Sequence, residues 1–227
     1  MNSGTPFFER GVEPPVRGFI HQPDGEAQAG LVLTHGAGAN CESKLLLALA
    51  EAFADAKFIV LRCDLPFRQA RPHGPPSPGS AERDREGLKR GVEVLRKMTS
   101  GPIFLGGHSY GGRQASMLAA EEPGITEALM LLSYPLHPPR RAEQLRTAHW
   151  PRLSTPVMFV HGSRDPFATL EELKSALALL PGRHTLLEID SVGHELLGRK
   201  ANPNFGTEIV AAFTTFVDAL QFGSAPL

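Results

Sequence analysis

The chain has 227 residues, with 23 basic and 24 acidic side chains and a formal net charge of -1. The length suits a single α/β domain with a sizeable core, and the absence of a long basic run argues against a nucleic-acid surface. No apolar run reaches the ~18 residues of a membrane span, and the first ten residues do not resemble a secretory signal. Two cysteines, Cys41 and Cys63, make no disulfide framework, so we expect a cytoplasmic protein.

Apolar runs and turn residues predict alternating strands and helices in the first half. Residues 1–15 contain Pro14-Pro15 and predict an irregular arm, and the proline-rich segment Pro66 to Ser80 predicts a surface loop. Asn40 is expected to cap the first helix. The predicted strands are 16–21, 30–34 and 58–61, and the predicted helices are 40–56 and 81–98.

The second half continues the alternation. The apolar run that starts at Pro102 predicts a strand, and a helix is expected from the glycine cluster behind it to Glu121. Residues 134–155 are proline-rich and predict an irregular connection with one helical turn near 142–146. Thr169 and Glu172 form a capping-box pattern. Further strands are predicted at 128–132, 156–160 and 184–189, helices at 169–180 and 204–220, and a frayed tail at 223–227.

This order predicts one α/β domain over 1–227, with a mostly parallel, doubly wound sheet and helices on both faces. Ligands of such sheets bind beyond the carboxyl ends of the strands. The loops that follow the strands are therefore where chemistry is expected.

A G-x-S-x-G pattern, Gly107-His108-Ser109-Tyr110-Gly111, joins a predicted strand to a predicted helix. A sharp turn there exposes the serine hydroxyl and leaves the backbone N–H of Tyr110 at a helix N-terminus. Glycine has no Cβ to clash at such a turn. Ser109 is therefore the candidate nucleophile, and a glycine-rich turn without chemistry is the alternative.

A serine hydroxyl needs a base and a carboxylate to orient that base. Asp165 and His194 follow later predicted strands, in the chain order Ser, Asp, His that is typical of α/β-hydrolases. Asp190 is a rival acid, but it lies only four residues before His194. His35 and His161 lie at strand ends before glycine, where packing roles are favoured over the role of base.

Five segments make the chain resemble a small α/β-hydrolase similar to the dienelactone-hydrolase-like enzymes, and in particular the branch with the KANSL and TEX proteins. The likeness spans about residues 17–220, and it implies that Ser109, Asp165 and His194 form a catalytic triad and that the N–H groups of Ala37 and Tyr110 form an oxyanion hole. Dienelactone hydrolase uses a cysteine nucleophile, so its lactone substrate is not carried over. The segments are Leu33 to Gly38, Gly107 to Gly112, Tyr134 to Pro139, Val160 to Phe167 and Gly193-His194.

Other residues have open assignments. His35, Tyr134 and His137 are candidates for lining the substrate pocket. A structural role is equally compatible with the proline-rich loop of Tyr134 and His137, and a packing or hydrogen-bonding role is favoured for His35. Arg68 and Arg113 could bind a substrate carboxylate, but a solvated surface position is favoured.

We therefore expect a serine hydrolase that cleaves small esters through an acyl-enzyme, without metal, cofactor, nucleic-acid or membrane partner, as a monomer or homodimer. The short connection 134–155 leaves no room for a large helical lid. The alternatives are a non-catalytic interaction module with the same fold, and acyl transfer or perhydrolysis at the same serine.

Overall fold

Eight strands form one sheet in the computed structural model, which describes residues 4–138, 140–198 and 202–222. The strands are β1 (Thr5–Glu9), β2 (Val16–His21), β3 (Ala29–Thr34), β4 (Phe58–Cys63), β5 (Ile103–His108), β6 (Leu129–Leu132), β7 (Val157–Gly162) and β8 (His184–Ile189). From β2 onward the strand positions agree with the predicted ones, and the central strands β3 to β7 are buried at every residue, as expected in a sheet covered on both faces.

The sheet is mostly parallel, as predicted. Its order is β1-β2-β4-β3-β5-β6-β7-β8. All neighbours from β4 to β8 in this order run parallel, whereas β2 is antiparallel to both of its neighbours, β1 and β4. β5 lies near the middle, between β3 and β6. The carboxyl ends of β3, β5, β7 and β8 therefore meet at one edge of the sheet.

Helices cover both faces. The helices are α1 (Lys44–Asp55), α2 (Pro66–Ala70), α3 (Ser80–Arg96), α4 (Tyr110–Glu121), α5 (Leu170–Leu177) and α6 (Phe205–Phe222). Apolar side chains of α3, α4 and α5 pack on one face of the sheet, and those of α1 and α6 pack on the other. Across the described residues, no helix is both long enough and apolar enough to cross a membrane.

The start of α1 differs from the prediction. Ser43 is the N-cap, and its hydroxyl accepts from the N–H of Leu46 at 3.4 Å. The Asn40 side chain instead accepts from the N–H of Glu42, two residues on, in the turn before the helix. The capping box of Thr169 and Glu172 is present as predicted.

The N-terminal segment is not irregular throughout, which corrects the prediction for residues 1–15. Thr5–Glu9 pairs with β2, so β1 is an added edge strand. Phe7 is half-buried and Phe8 is exposed, as expected of neighbouring residues in a strand that is covered on only one face. The predicted tail, 223–227, lies outside the described residues.

The helical content of both proline-rich segments differs from the prediction. The first segment contains a short helix that was not predicted, and the second has its helical turn at a different position. Pro66–Ala70 forms α2, where a proline at the first position is compatible with a helix start. Residues 142–146 form no helical turn, and a 3-10 turn is found at Trp150–Arg152. The connection 134–155 carries no long helix, so it forms no large lid.

Phe213 of α6 is fully buried and packs edge-on against Phe53 and Phe104, with ring centroids 5.7 and 5.2 Å away. Truncation would leave a cavity between α6 and the sheet. We expect Phe213→Ala to lower the free energy of unfolding by about 3–5 kcal/mol. Phe8→Ala, at a ring that is 48% exposed, should change it by less than about 1 kcal/mol in the same urea titration. Equal losses in the two variants would contradict this placement.

Candidate active site

Ser109 occupies a single-residue turn between β5 and α4. Its φ of 51° and ψ of -115° are unusual for a residue with a side chain, and strain of this kind is concentrated at functional sites. The turn is held on both sides, because the Ser109 N–H donates to the carbonyl of Leu132 at 2.8 Å and its own carbonyl accepts from Arg113 at 3.0 Å.

The glycines on either side make this turn possible. A Cβ at Gly107 would lie 2.6 Å from the backbone of Gly111, and a Cβ at Gly111 would lie 2.5 Å from the carbonyl oxygen of His35. Both approaches are closer than any side chain allows. The two glycines therefore have the steric role that the sequence pattern predicts.

The three residues predicted as a triad come together at the carboxyl edge of the sheet. His194 Nε2 lies 2.8 Å from Ser109 Oγ, and His194 Nδ1 lies 2.8 Å from Asp165 Oδ2. Asp165 is buried in the loop after β7, and His194 follows β8. The other carboxylate oxygen of Asp165 accepts from the N–H of Phe167 at 2.8 Å, which fixes its orientation.

The side chains of Phe167 and His108 hold His194 in place. The ring of Phe167 stacks on the imidazole at a centroid distance of 4.2 Å. His108 Nε2 donates to the carbonyl oxygen of His194 at 2.8 Å. Burial lowers the pKa of His108, so the ring stays neutral and keeps one N–H for this bond. In the sequence, the one feature that pointed to a role of His108 near the site was its position next to Ser109.

The rival acid lies elsewhere. Asp190 is exposed, and its carboxylate accepts from the hydroxyls of Ser163 and Ser191 at 3.1 and 3.2 Å. These bonds, with that of Ser163 foremost, lower the pKa of Asp190. His161 is buried and donates to the carbonyl of Ala168 at 2.9 Å, which agrees with the packing role expected for it.

The three candidate pocket residues do not line the cavity, which corrects that prediction. His35 is buried behind the loop, where it donates to the Gly36 carbonyl and accepts from the Leu65 N–H. Burial lowers its pKa to about 4, so the ring is neutral. Tyr134 and His137 are also buried, and each donates to a backbone carbonyl of its own connection.

A cavity of about 780 Å³ opens beside Ser109. Ala37, Tyr110 and His194 lie in its wall, together with prolines of the segment after α2. No hydrogen bond to another described residue uses the N–H of Ala37 or of Tyr110. Both donors are therefore free to face a ligand in this cavity. Across the described residues, no group of three or more His, Cys, Asp or Glu side chains is placed to hold a metal ion.

Arg68 is buried rather than solvated, which corrects the favoured surface assignment. It is 4% exposed, and its guanidinium joins the Ala37 loop to the proline-rich segment through backbone carbonyls. The donor–acceptor distances are 2.7 Å to Ala37, 2.8 Å to Ala39, 3.0 Å to Gly74 and 3.2 Å to Arg71. This side chain therefore fixes the loop that carries the Ala37 N–H.

We expect Arg68→Met to destabilise the protein by about 2–4 kcal/mol, because it removes the charge-assisted hydrogen bonds of a buried side chain to four backbone carbonyls. Arg71→Met is the matched control, since the exposed Arg71 side chain bonds only to Pro75 and Ser77. It should cost less than about 1 kcal/mol. Urea unfolding of the two variants measures both values. If Arg68→Met costs as little as Arg71→Met, Arg68 does not fix the Ala37 loop.

The chain belongs to the α/β-hydrolase family. Residues 27–220 match the family model described as an alpha/beta hydrolase domain. This range contains Ser109, Asp165 and His194 as well as β3 to β8. The narrower likeness to the KANSL and TEX branch stays a prediction.

Solved structures with the same fold include three bacterial proteins. Est1E from Butyrivibrio proteoclasticus superposes with a TM-score of 0.74 at 18% identity, covering 95% of this chain and 100% of Est1E. Dienelactone hydrolase from Anabaena variabilis gives 0.71 at 18% identity, with 95% and 97% covered. XC6422 from Xanthomonas campestris, described as a serine hydrolase without lid, gives 0.65 at 16% identity, with 100% and 98% covered. These likenesses concern the fold.

Proposed function

We propose that the protein is a serine hydrolase that cleaves small esters through an acyl-enzyme on Ser109. The observation that carries the proposal is the continuous hydrogen-bonded chain from Ser109 Oγ through His194 to Asp165, with both distances at 2.8 Å. A glycine-rich turn without chemistry requires no such chain. The strain at Ser109, at the mouth of a cavity, favours the same assignment.

The first step is addition to the ester carbonyl. Asp165 accepts a hydrogen bond from the Nδ1–H of His194, so the neutral imidazole presents an unprotonated Nε2 to Ser109. His194 takes the hydroxyl proton as the Ser109 oxygen bonds to the carbonyl carbon. The negative charge that develops on the carbonyl oxygen is bound by the N–H groups of Ala37 and Tyr110. Asp165 stabilises the imidazolium.

The second step expels the alcohol. The imidazolium of His194 protonates the leaving oxygen as the carbon–oxygen bond breaks, which leaves the acyl group on Ser109. Water then replaces the alcohol, gives its proton to His194 and attacks the acyl carbonyl. Collapse of this second intermediate returns the proton to Ser109 and releases the acid.

The surroundings of the cavity favour small substrates. No long helix covers Ser109 from the connection 134–155, and prolines of the segment after α2 form one wall. A site that is open and about 780 Å³ in volume suits a short acyl chain better than a long lipid.

A fluorophosphonate probe should label the wild-type protein, and Ser109→Ala should remove labelling and lower kcat for p-nitrophenyl acetate by about 10⁵-fold or more. Ser163→Ala is the matched control, because this serine lies at the end of β7 and outside the cavity wall. It should keep both signals. Labelling of wild type and Ser109→Ala alike, or of neither, would refute the proposal and favour an interaction module.

Asp165→Asn should lower kcat by about 10⁴-fold, since an amide cannot stabilise the His194 imidazolium and favours the wrong tautomer. Asp190→Asn makes the same chemical change at the exposed rival acid and should alter kcat less than about threefold. Steady-state rates with p-nitrophenyl esters measure both. A larger loss in Asp190→Asn than in Asp165→Asn would reverse the assignment.

A further inference from the structure

Two arginines share the cavity with Ser109. Arg113 lies on α4, one turn after Ser109, and Arg146 lies on the connection between β6 and β7. Both side chains are half-buried and contribute to the cavity wall. The cavity therefore presents two positive charges close to the proposed nucleophile.

The guanidinium of Arg113 has no hydrogen-bond or ion-pair partner among the described residues. Its Nε is fully buried and unpaired. A buried N–H without an acceptor costs free energy, because this atom has lost its hydration and gained no partner in exchange. Such a cost is retained where a ligand supplies the missing acceptor.

Hydrogen bonds of its backbone groups hold Arg146 in position. Its N–H donates to the Leu136 carbonyl at 2.8 Å, and its carbonyl accepts from the Tyr134 hydroxyl at 2.7 Å. Among the described residues, the guanidinium itself makes only a 3.5 Å contact, with the Pro135 carbonyl. Burial lowers the pKa of Arg146, and the positive charge of Arg113 acts in the same direction.

Other arginines of the chain show that carboxylates are available as partners elsewhere. Ion pairs at 2.7–2.9 Å join Arg17 to Asp64, Arg85 to Glu121 and Arg90 to Glu93. In the cavity wall the one acidic residue is the exposed Glu195, and it forms no ion pair with either arginine among the described residues. Arg141 and Arg152 also form no ion pair among the described residues, but both are exposed, so the distinction of Arg113 is that its unpaired Nε is buried in the cavity wall.

We propose that Arg113 and Arg146 form an anion subsite, so that the protein prefers esters that carry a carboxylate over neutral esters of the same length. Guanidinium groups bind carboxylates through paired charge-assisted hydrogen bonds. This inference rests on the proposed esterase activity of Ser109. The carboxylate can belong to the acyl group or to the alcohol, and the substrates of the test separate these sources.

The test compares three esters as substrates. Mono-p-nitrophenyl adipate carries a carboxylate on the acyl side, 4-carboxyphenyl hexanoate carries one on the alcohol side, and p-nitrophenyl hexanoate carries none. The readout is the ratio of kcat/KM for each charged ester to that for the neutral ester. This ratio removes any general effect of a variant on folding or on the chemical step.

We expect Arg113→Met, and separately Arg146→Met, to lower the ratio for one charged ester by about 10- to 100-fold, as for the loss of a charged hydrogen bond. Arg113→Lys should lower it less, since it keeps the charge. Arg141→Met removes the same charge from an exposed position on the connection that carries Arg146, and it should leave the ratio unchanged. Wild-type ratios that persist in both Arg113→Met and Arg146→Met would overturn the subsite.

A second measurement separates this inference from the proposed function. Calorimetry measures the binding of monophenyl adipate and of 4-carboxyphenyl hexanoate to Ser109→Ala, and it needs no catalysis. Binding that weakens at least tenfold in Ser109→Ala/Arg113→Met supports the subsite even if wild type hydrolyses no ester. Equal binding in the two proteins, or none in Ser109→Ala, overturns it even if wild type hydrolyses neutral esters.

Discussion

The close approach of β5 and α4 at Ser109 is the constraint on which the candidate site depends. The chain reverses within one residue, so Gly107 and Gly111 lie closer to neighbouring backbone than any Cβ would allow. The surrounding sheet stabilises this strained turn, because β5 is hydrogen-bonded to a neighbouring strand on both sides. The result is a serine side chain that stands at the edge of the sheet, within reach of the loops after β7 and β8.

Around this turn, buried polar groups hold the loops in position. Arg68 fixes the segment of Ala37 by donating to four backbone carbonyls, and His108 fixes that of His194. Arg113 is the contrast, since its Nε is buried in the wall of the same cavity but bonds to no described residue. A buried guanidinium with all its acceptors supports the fold, whereas one without them is available to a ligand.

Where prediction from sequence was wrong, the determining contacts were distant in the chain. The strand at Thr5–Glu9 depends on an edge offered by β2, and the short helix at Pro66–Ala70 is joined to α3 by the bond from the Phe67 N–H to Asp84. His35, Tyr134 and His137 follow strands as pocket residues do, but their side chains turn into the protein. Position after a strand predicts which edge a residue occupies and does not predict which way it points.

The sequence by itself determined the order of the elements from β2 to α6 apart from α2, and the turn at Ser109, because unbroken apolar runs and glycine spacing are local properties of the chain. It also indicated Asp165 and His194 as candidates through their order in the chain. Only the tertiary structure decided which arginine is buried in a loop and which lies in the cavity. The surroundings of both arginines come from distant segments of the chain: Arg68 bonds to Ala37, 31 residues away, and Arg113 shares its cavity wall with Arg146 and His194. Long side chains take their environment from packing between elements, which no local pattern encodes.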